Sequence, residues 1–562
     1  MKKAKRMTKE QTEKKKKNII RTFIVIISLI VIAIIGYIAN EFIILDNNKT
    51  INLIINNKNV TGNLKKDVLV QDDDIYLSMQ DLQNFFDKYI YEDTENNQII
   101  TTYEDKIAVI GFEENKMIVN GSEKSTFAHV LKQDDTIYLP ITEMKDVYGI
   151  DIEYIEKTKV VLVDSIAREQ KKAIVSKNSS VKSSTNFIAK TVDRVDKGSS
   201  CVVISEEGKY TKIRTENGKI GYVKSKIIAN TIVTRQTIEK QKQIEGKVNL
   251  VWDYYSQVAS APNREGTTID GINVVSPAFF HLNSKGELEE NIGSSGEEYI
   301  KWAHNNGYKV WPMVQNAGTG MMDVTSSIMR SFEKRQELIE SIITYCVEYD
   351  LDGINIDFEN MKKEDVDLFS RFIIELEPRL KEIGQVLSVD VTAPDGADTW
   401  SLCFDRLVLG DVADYLIFMA YDQYGGTSNV AGTTAGYNWV ELNLKKFLET
   451  YEVESDKLIL AVPLYARLWK EESDGGVTGE AIPMNQIDEE IPEDVTKTWD
   501  DELKQYYVEY EQNGVKYKIW IEDIESLKAK ISLINEYNLG GIASWEKGME
   551  LDEVWQVIKE NL

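Results

Sequence analysis

One eight-residue segment of the chain carries acidic and amide side chains at every second position. It reads Asp352-Gly353-Ile354-Asn355-Ile356-Asp357-Phe358-Glu359. In a β-strand this alternation places Asn355, Asp357 and Glu359 on one face and the apolar side chains on the other. Carboxyl groups are general acids and bases, and burying two of them with an amide is costly unless they act in some way. The segment therefore predicts a functional site, with a purely structural polar layer as the alternative.

The elements that would position this segment are regularly spaced. From about residue 246 onward, apolar strand-like runs alternate with segments of helix length, at 248–252, 272–277, 309–314, 353–359, 387–392, 415–421, 457–464 and 541–545. Eight such runs predict an α/β fold, a (β/α)8 TIM barrel over residues 245–562. An open doubly wound sheet is the alternative, but the first run is not followed by a Gly-rich phosphate loop. In a barrel, Glu359 would lie at the carboxyl end of its strand, where barrel active sites form.

The acidic segment also resembles a known signature. It is similar to the D-x-x-D-x-D-x-E pattern on the fourth barrel strand of family 18 glycoside hydrolases. Three further segments resemble later motifs of that family in the expected order, on the sixth, seventh and eighth strands: residues 419–422, 462–467 and 540–546. Four matches over about two hundred residues identify a family 18-like barrel.

The resemblance implies three catalytic residues. Family members cleave beside an N-acetylamino sugar by substrate-assisted retention, in which the acetamido oxygen of the substrate attacks C1. Glu359 is then expected to protonate the leaving oxygen and later to deprotonate water. Asp357 is expected to hold the acetamido N–H and stabilise the cationic intermediate, and Tyr421 to donate a hydrogen bond to the acetamido carbonyl.

Five more residues are expected, from the same resemblance, to line the substrate site. Asp422 would bind sugar hydroxyls and Trp545 would form the floor under the pyranose ring, while Asn355, Tyr465 and Arg467 fall in the matching motifs. No metal ion or other cofactor is expected.

Two departures from the family pattern bear on the substrate. Asn355 replaces the middle Asp, so that Asp357 loses a like-charged neighbour and is expected to ionise more readily. The third strand, residues 310–316, lacks the S-x-G-G pattern common in chitinases. An Asn at this place is similar to the bacterial branch of wall-associated and spore-lytic N-acetylglucosaminidases. Both departures favour peptidoglycan over chitin.

The N-terminal region predicts a membrane anchor. Residues 1–21 contain ten Lys/Arg and two Glu, which gives +8 and leaves −34 for the rest of a chain whose total is −26. Residues 22–39 form an uncharged run of 18 residues, close to the length that spans a hydrocarbon core. Because positive flanks stay inside, we predict a cytoplasmic basic tail (1–21), a single-pass signal-anchor (22–45) and an exported body in the cell membrane. A cleaved signal peptide is the alternative.

Two modules are predicted between the anchor and the barrel. Residues 51–165 contain a repeat, in which 73–82 returns as 135–144, each copy being read as a strand followed by a helix. This α+β module resembles the N-terminal domain type first named from copper amine oxidases, without its copper chemistry. Residues 171–230 resemble a small bacterial SH3-like β-barrel, either wall-binding or a spacer. Within the barrel, residues 469–520 predict a small α+β insertion.

Composition excludes several function classes. Acidic residues outnumber basic ones by 92 to 66, which argues against nucleic acid as a partner. Three distant cysteines and three histidines cannot form a disulfide framework and do not favour a His-based metal site.

The sequence as a whole predicts a membrane-anchored extracellular glycosidase that cleaves β-1,4 linkages of an N-acetylglucosamine-containing cell-wall glycan. The alternatives are a chitinase or chitooligosaccharide hydrolase, and a non-catalytic glycan-binding wall protein.

Overall fold

The fold is known from a computed structural model that describes residues 9–42, 50–112, 114–186, 188–237, 243–473 and 475–562. Residues 1–8 of the predicted tail and residues 43–45 of the predicted anchor lie outside the described residues. The chain divides into two compact units near residue 240. The first unit begins with α1 (Lys9–Phe42), which contains a segment, Thr12–Gly36, that is long and apolar enough to cross a membrane.

The module after α1 consists of short strands and one helix. They are β1 (Asn52–Ile55), β2 (Lys58–Asn59), β3 (Leu69–Gln71), β4 (Asp74–Ser78), α2 (Met79–Phe85), β5 (Tyr91–Asp93), β6 (Gln98–Tyr103), β7 (Lys106–Gly111), β8 (Lys116–Val119), β9 (Ser122–Ser125), β10 (Leu131–Gln133), β11 (Thr136–Pro140), β12 (Ile150–Ile155) and β13 (Val160–Ser165). They form two four-stranded sheets and one five-stranded sheet.

The two copies of the repeat pair with each other, because β4 and β11 run antiparallel side by side. Only the first copy continues into a helix. The Ser78 hydroxyl accepts a hydrogen bond from the Asp81 N–H (3.1 Å) and caps α2. The second copy has Pro140 in place of this serine, and turns follow it through residue 149. The predicted helix of the second copy is therefore wrong, since its capping hydroxyl is missing.

A seven-stranded antiparallel sheet follows, built from β14 (Gln170–Val175), β15 (Ser179–Lys182), β16 (Thr191–Val195), β17 (Ser200–Glu207), β18 (Tyr210–Thr215), β19 (Ile220–Lys224) and β20 (Ile228–Arg235). It belongs to the same compact unit as the preceding module. Arg214 of β18 donates two hydrogen bonds to the Asp164 carboxylate of β13, at 2.7 and 2.5 Å. The SH3-like assignment of this segment stays a prediction.

The second unit holds the remaining strands. They are β21 (Val248–Asp253), β22 (Val274–Pro277), β23 (Phe280–Leu282), β24 (Leu288–Glu290), β25 (Lys309–Val310), β26 (Met313–Gln315), β27 (Gly353–Asp357), β28 (Val386–Val391), β29 (Tyr415–Met419), β30 (Leu458–Pro463), β31 (Tyr465–Glu471), β32 (Val477–Pro483), β33 (Thr498–Asp500), β34 (Gln505–Gln512), β35 (Val515–Ile521) and β36 (Gly541–Trp545).

The helices of this unit follow the strands along the chain. They are α3 (Gly293–Asn305), α4 (Met321–Arg330), α5 (Phe332–Glu348), α6 (Val366–Glu382), α7 (Arg406–Val412), α8 (Tyr437–Lys445), α9 (Ile487–Glu490), α10 (Ile524–Glu536) and α11 (Val554–Asn561).

Parallel pairing closes the barrel. From β26 through β27, β28, β29, β30 and β36, each strand pairs in parallel with the next, and β36 pairs with β21. Three further parallel pairs complete the ring: β21 pairs with β22, β22 with β25, and β23 with β26. A Cβ at Gly541 would overlap the Val248 carbonyl oxygen, so the contact of β36 with β21 requires glycine. The predicted barrel is confirmed.

One of the predicted strands is divided, and another is shorter than predicted. The predicted run 309–314 is observed as β25 and β26, separated by Trp311 and Pro312, because proline has no N–H for the ladder. The predicted run 272–277 is observed as β22, and β23 extends the same side of the barrel after it.

The insertion forms a five-stranded sheet in the order β32-β31-β35-β34-β33. It begins at Tyr465, directly after β30 and four residues before the predicted boundary. A buried ion pair between Glu522 and Lys530 (2.8 Å) connects the end of β35 to α10, and both side chains are 2% exposed.

Candidate active site

The strand β27 positions the acidic segment in the barrel. Phe358 packs outward on α6, where its ring stacks on Phe372 with centroids 6.0 Å apart. Asn355 and Asp357 alternate with these apolar side chains and are 0% and 8% exposed. The predicted alternation is confirmed, and it places the polar side chains in the barrel interior.

Asn355 is the centre of a buried hydrogen-bond network. Its Oδ1 accepts a hydrogen bond from the Trp252 indole N–H (2.8 Å), and its Nδ2 donates to Asp390 Oδ1 (2.8 Å) and Ser388 Oγ (3.1 Å). Because an indole N–H can only donate, the amide oxygen of Asn355 must face Trp252, and the amide nitrogen must face Asp390 and Ser388. Asn355 therefore links strands β21, β27 and β28 across the interior.

Asp390 is a buried acid that the sequence reasoning missed. It lies on β28 and is 2% exposed. Burial raises the pKa of Asp390 well above its ordinary value, and the charge of Asp357 raises it further. The signal was present in the sequence, since Ser388 and Asp390 alternate with apolar residues in β28 just as the polar side chains of β27 do.

Asp357 has one satisfied and one unsatisfied carboxyl oxygen. Its Oδ2 accepts a hydrogen bond from Gln315 Nε2 (2.9 Å), whereas its buried Oδ1 has no partner among the described residues. Burial raises the pKa of Asp357, and the hydrogen bond from Gln315 opposes this shift. The expectation that Asp357 would ionise more readily neglected its burial, which raises the pKa of this carboxyl group.

Glu359 lies at the carboxyl end of β27, and its backbone is held on both sides by one amide. The Glu359 N–H donates to Asn316 Oδ1 (2.8 Å), and Asn316 Nδ2 donates to the Glu359 carbonyl (3.0 Å). Burial, then the charges of Asp357 and Asp422, raise the pKa of Glu359 to about 8. The carboxyl group is thus mostly protonated at neutral pH. The sequence reasoning did not recognise Asn316 as a positioning residue.

A second group of predicted residues meets at the ends of β29 and β30. Asp422 Oδ1 accepts hydrogen bonds from the Tyr465 hydroxyl (2.7 Å) and from Arg467 Nη2 (2.8 Å). The ring of Tyr421 lies 6.4 Å from that of Tyr465. Burial is the largest cause that raises the pKa of Tyr421 well above its ordinary value. Neighbouring acidic groups, including Glu359, raise it further. The Tyr421 hydroxyl therefore keeps its proton as a hydrogen-bond donor.

Trp545 provides an aromatic surface at the end of β36. Its ring centroid lies 5.7 Å from that of Trp252 and 5.7 Å from that of Tyr254. Tyr254 follows β21, is 44% exposed and was not singled out from the sequence. Aromatic rings at the open end of a barrel offer flat apolar faces on which a ring of similar size can pack.

A closed parallel barrel that carries a protonated carboxyl group, a second buried carboxylate and aromatic rings at the carboxyl ends of its strands defines a barrel glycosidase. Residues 250–550, more than half of the chain, match the Glycosyl hydrolases family 18, and the chain belongs to this family. Residues 45–163 match the Copper amine oxidase N-terminal domain, as the repeat predicts.

Known relatives match about half of the chain at low identity. The chain is 24% identical over 300 residues to the uncharacterized glycosylase YvbX of Bacillus subtilis, a match that covers 51% of this chain and 84% of YvbX. It is 25% identical over 334 residues to the cortical fragment-lytic enzyme of Bacillus anthracis, covering 55% and 73% of the two chains. The spore cortex-lytic enzyme SleL of Bacillus megaterium has the same fold, with a TM-score of 0.50, 20% identity, and coverage of 65% of this chain and 89% of that one.

Proposed function

We propose that the barrel hydrolyses the β-1,4 bond that follows an N-acetylglucosamine unit, by substrate-assisted retention. One observation supports this most directly. A carboxyl group that is mostly protonated at neutral pH, Glu359, lies two residues from Asp357, whose buried Oδ1 has no partner within the described part of the chain. An unpaired buried oxygen costs about 1–3 kcal/mol, and a substrate N–H would remove that cost.

In the first step, Glu359 donates its proton to the glycosidic oxygen while the acetamido oxygen of the substrate forms a bond to C1. The C1–O bond to the leaving sugar breaks, and the leaving group departs as an alcohol. In the second step, the Glu359 carboxylate takes a proton from water as the water oxygen attacks C1. The bond between C1 and the acetamido oxygen breaks, which restores the acetamido group and the protonated Glu359. Because the substrate supplies the nucleophile, one acid/base is sufficient.

Asp357 and Tyr421 act on the acetamido group in this proposal. Asp357 Oδ1 accepts the acetamido N–H, and its negative charge stabilises the cationic ring that forms in the first step. The Tyr421 hydroxyl donates to the acetamido oxygen and directs it toward C1. Asp357 is buried and Tyr421 is partly buried, and such interactions are stronger there than in water.

The remaining residues bind the sugar rings. Asp422, held by Tyr465 and Arg467, accepts hydrogen bonds from sugar hydroxyls. Trp545 supports the ring at the cleaved bond, and Tyr254 beside it extends the aromatic surface toward the solvent.

We further propose peptidoglycan as the substrate. The support is the Asn at position 355 and the similarity to a cortical fragment-lytic enzyme and to glycosylases of Bacillus. Chitin fragments are the second candidate, since they carry the same N-acetylglucosamine unit.

For location, we propose that α1 is an uncleaved anchor with the barrel outside the cell. The candidate span Thr12–Gly36 is exposed along its length, and the basic residues of 1–21, which precede its uncharged part, follow the positive-inside rule. Residues 51–165 then act as a stalk, and residues 171–230 as an SH3-like wall-facing module ahead of the barrel at 245–562.

The test uses the full chain in detergent with purified peptidoglycan, defined muropeptides and chitin oligomers. Mass spectrometry of the products should show new N-acetylglucosamine reducing ends from muropeptides, and Glu359→Gln should abolish them. Glu364→Gln, an exposed Glu five residues later in the same loop, is the matched control and should retain activity. New N-acetylmuramic acid ends, or no cleavage of any substrate, would refute the proposal.

A further inference from the structure

The buried acid Asp390 has no part in the mechanism above, yet it lies next to its centre. It is 2% exposed on β28, and its Oδ1 accepts a hydrogen bond of 2.8 Å from Asn355. The charges of Asp357 in β27 and of Glu359 just after it raise the pKa of Asp390, and the hydrogen bond from Asn355 opposes them. Asp390 acts in turn on Tyr421 beyond the end of β29. These four titratable groups are all acidic, and within the described part of the chain no cation contributes to the charge around Asp390.

Two buried carboxylates so placed cannot both ionise easily, because each charge raises the cost of the other in a dry interior. One proton must therefore stay on the pair formed by Asp357 and Asp390 at neutral pH. Each carboxyl group accepts one amide hydrogen bond, Asp357 from Gln315 and Asp390 from Asn355, but Asp357 is the more exposed, at 8% against 2%. The proton is thus retained by the more deeply buried partner.

The amide of Asn355 also determines which oxygen of Asp390 holds that proton. Trp252 orients the amide so that its Nδ2 faces Asp390 Oδ1. Since Nδ2 can only donate, Oδ1 must accept, and the proton resides on Oδ2. The N–H of Asn355 and the O–H of a neutral Asp390 therefore lie on different carboxyl oxygens and do not oppose each other.

We propose that Asp390 is a positioning residue that keeps the single proton of this pair and thereby leaves the negative charge on Asp357. This inference rests on the proposed function, in which the anionic Asp357 stabilises the cationic intermediate. Strand β28 thus supplies, at Asp390, the second acid that is absent from position 355 of β27. Ionisation of Asp390 would drive a proton onto Asp357 and remove that charge.

Infrared difference spectroscopy tests the protonation of Asp390 directly and does not depend on turnover. The full chain carrying Glu359→Gln is used, so that Glu359 does not contribute. At pH 7 it should show the carbonyl stretch of a buried protonated carboxyl group, and Asp390→Asn on this background should abolish that band. Ser388→Ala, which removes the other hydrogen bond of the Asn355 amide, should retain it.

A second measurement tests the coupling. Replacing Asp357 by Asn removes the charge that keeps the proton on Asp390. Asp390 should then ionise, and its band disappear, at a pH about one unit or more below that of the chain with Asp357. This shift corresponds to a roughly tenfold loss of proton affinity. This readout also serves if Asp390→Asn does not fold. In the active enzyme, Asp390→Asn mimics the neutral acid and should keep kcat within about threefold, which corresponds to less than about 1 kcal/mol.

The outcomes separate this inference from the proposed function. A wild-type chain without activity would refute the function but leave the infrared test intact. A band that survives Asp390→Asn, or that titrates at the same pH with and without Asp357, would overturn the role of Asp390. So would a folded Asp390→Asn variant whose kcat falls more than about a hundredfold, because Asp390 would then act as an anion.

Discussion

Replacing Glu359 by Gln should stabilise the folded protein while it removes activity. Burial raises the pKa of Glu359 from 4.5 to about 8, so ionisation is easier in the unfolded chain than in the folded one. The contribution of this carboxyl group to the stability of the fold is therefore fully present below pH 4.5. It is lost as the pH rises through about 8, where Glu359 of the folded protein ionises. Gln resembles the protonated acid and does not suffer this loss.

The size of the effect follows from the two pKa values. Each pH unit between them costs about 1.4 kcal/mol. At pH 7 the unfolded group is ionised and the folded group is mostly protonated, so wild type should be less stable than Glu359→Gln by about 3 kcal/mol. At pH 9, above both pKa values, the difference should reach its limit of about 5 kcal/mol, and near pH 4 it should vanish.

Urea unfolding followed by tryptophan fluorescence from pH 4 to pH 9 measures this difference. Glu364→Gln is the control, because it removes an exposed carboxyl group from the segment that follows the same strand and should change the stability less than Glu359→Gln does. A Glu359→Gln variant whose advantage does not grow with pH would refute the reasoning that burial keeps the acid protonated.

Three further predictions concern the same unit. The pH profile of kcat/KM should fall above about pH 8 as Glu359 ionises, and Asp422→Asn should move this limb to lower pH, because it removes a negative charge that opposes ionisation. Asn316→Ala should lower kcat by about a hundredfold with circular dichroism unchanged, since the backbone of the acid loses both of its hydrogen bonds; an unchanged kcat would contradict a positioning role. Lys530→Met should destabilise the barrel to urea by about 3–5 kcal/mol because it leaves Glu522 buried and unpaired, and adding Glu522→Gln should restore much of the loss.

The sequence predicted the parts of the site that depend on local periodicity. The alternation in residues 353–357 is a property of one strand, so it could be read without knowing the neighbours, and the count of eight apolar runs predicted the barrel. The same local logic failed for the second repeat copy, where one substitution, Pro140 for the capping Ser78, is followed by turns in place of a helix.

What only the tertiary structure decided is which side chains face each other across strands. Barrel closure sets Asn355 opposite Ser388 in β28 and Asp357 opposite Gln315 in β26. That register depends on contacts between segments thirty to forty residues apart, and no local pattern specifies it. It brings Asp390 to Asn355 and Asn316 to the backbone of Glu359, and the resulting burial raises the pKa of Glu359. The residue types of the acids could be read from the chain, but their protonation is a property of the closed barrel.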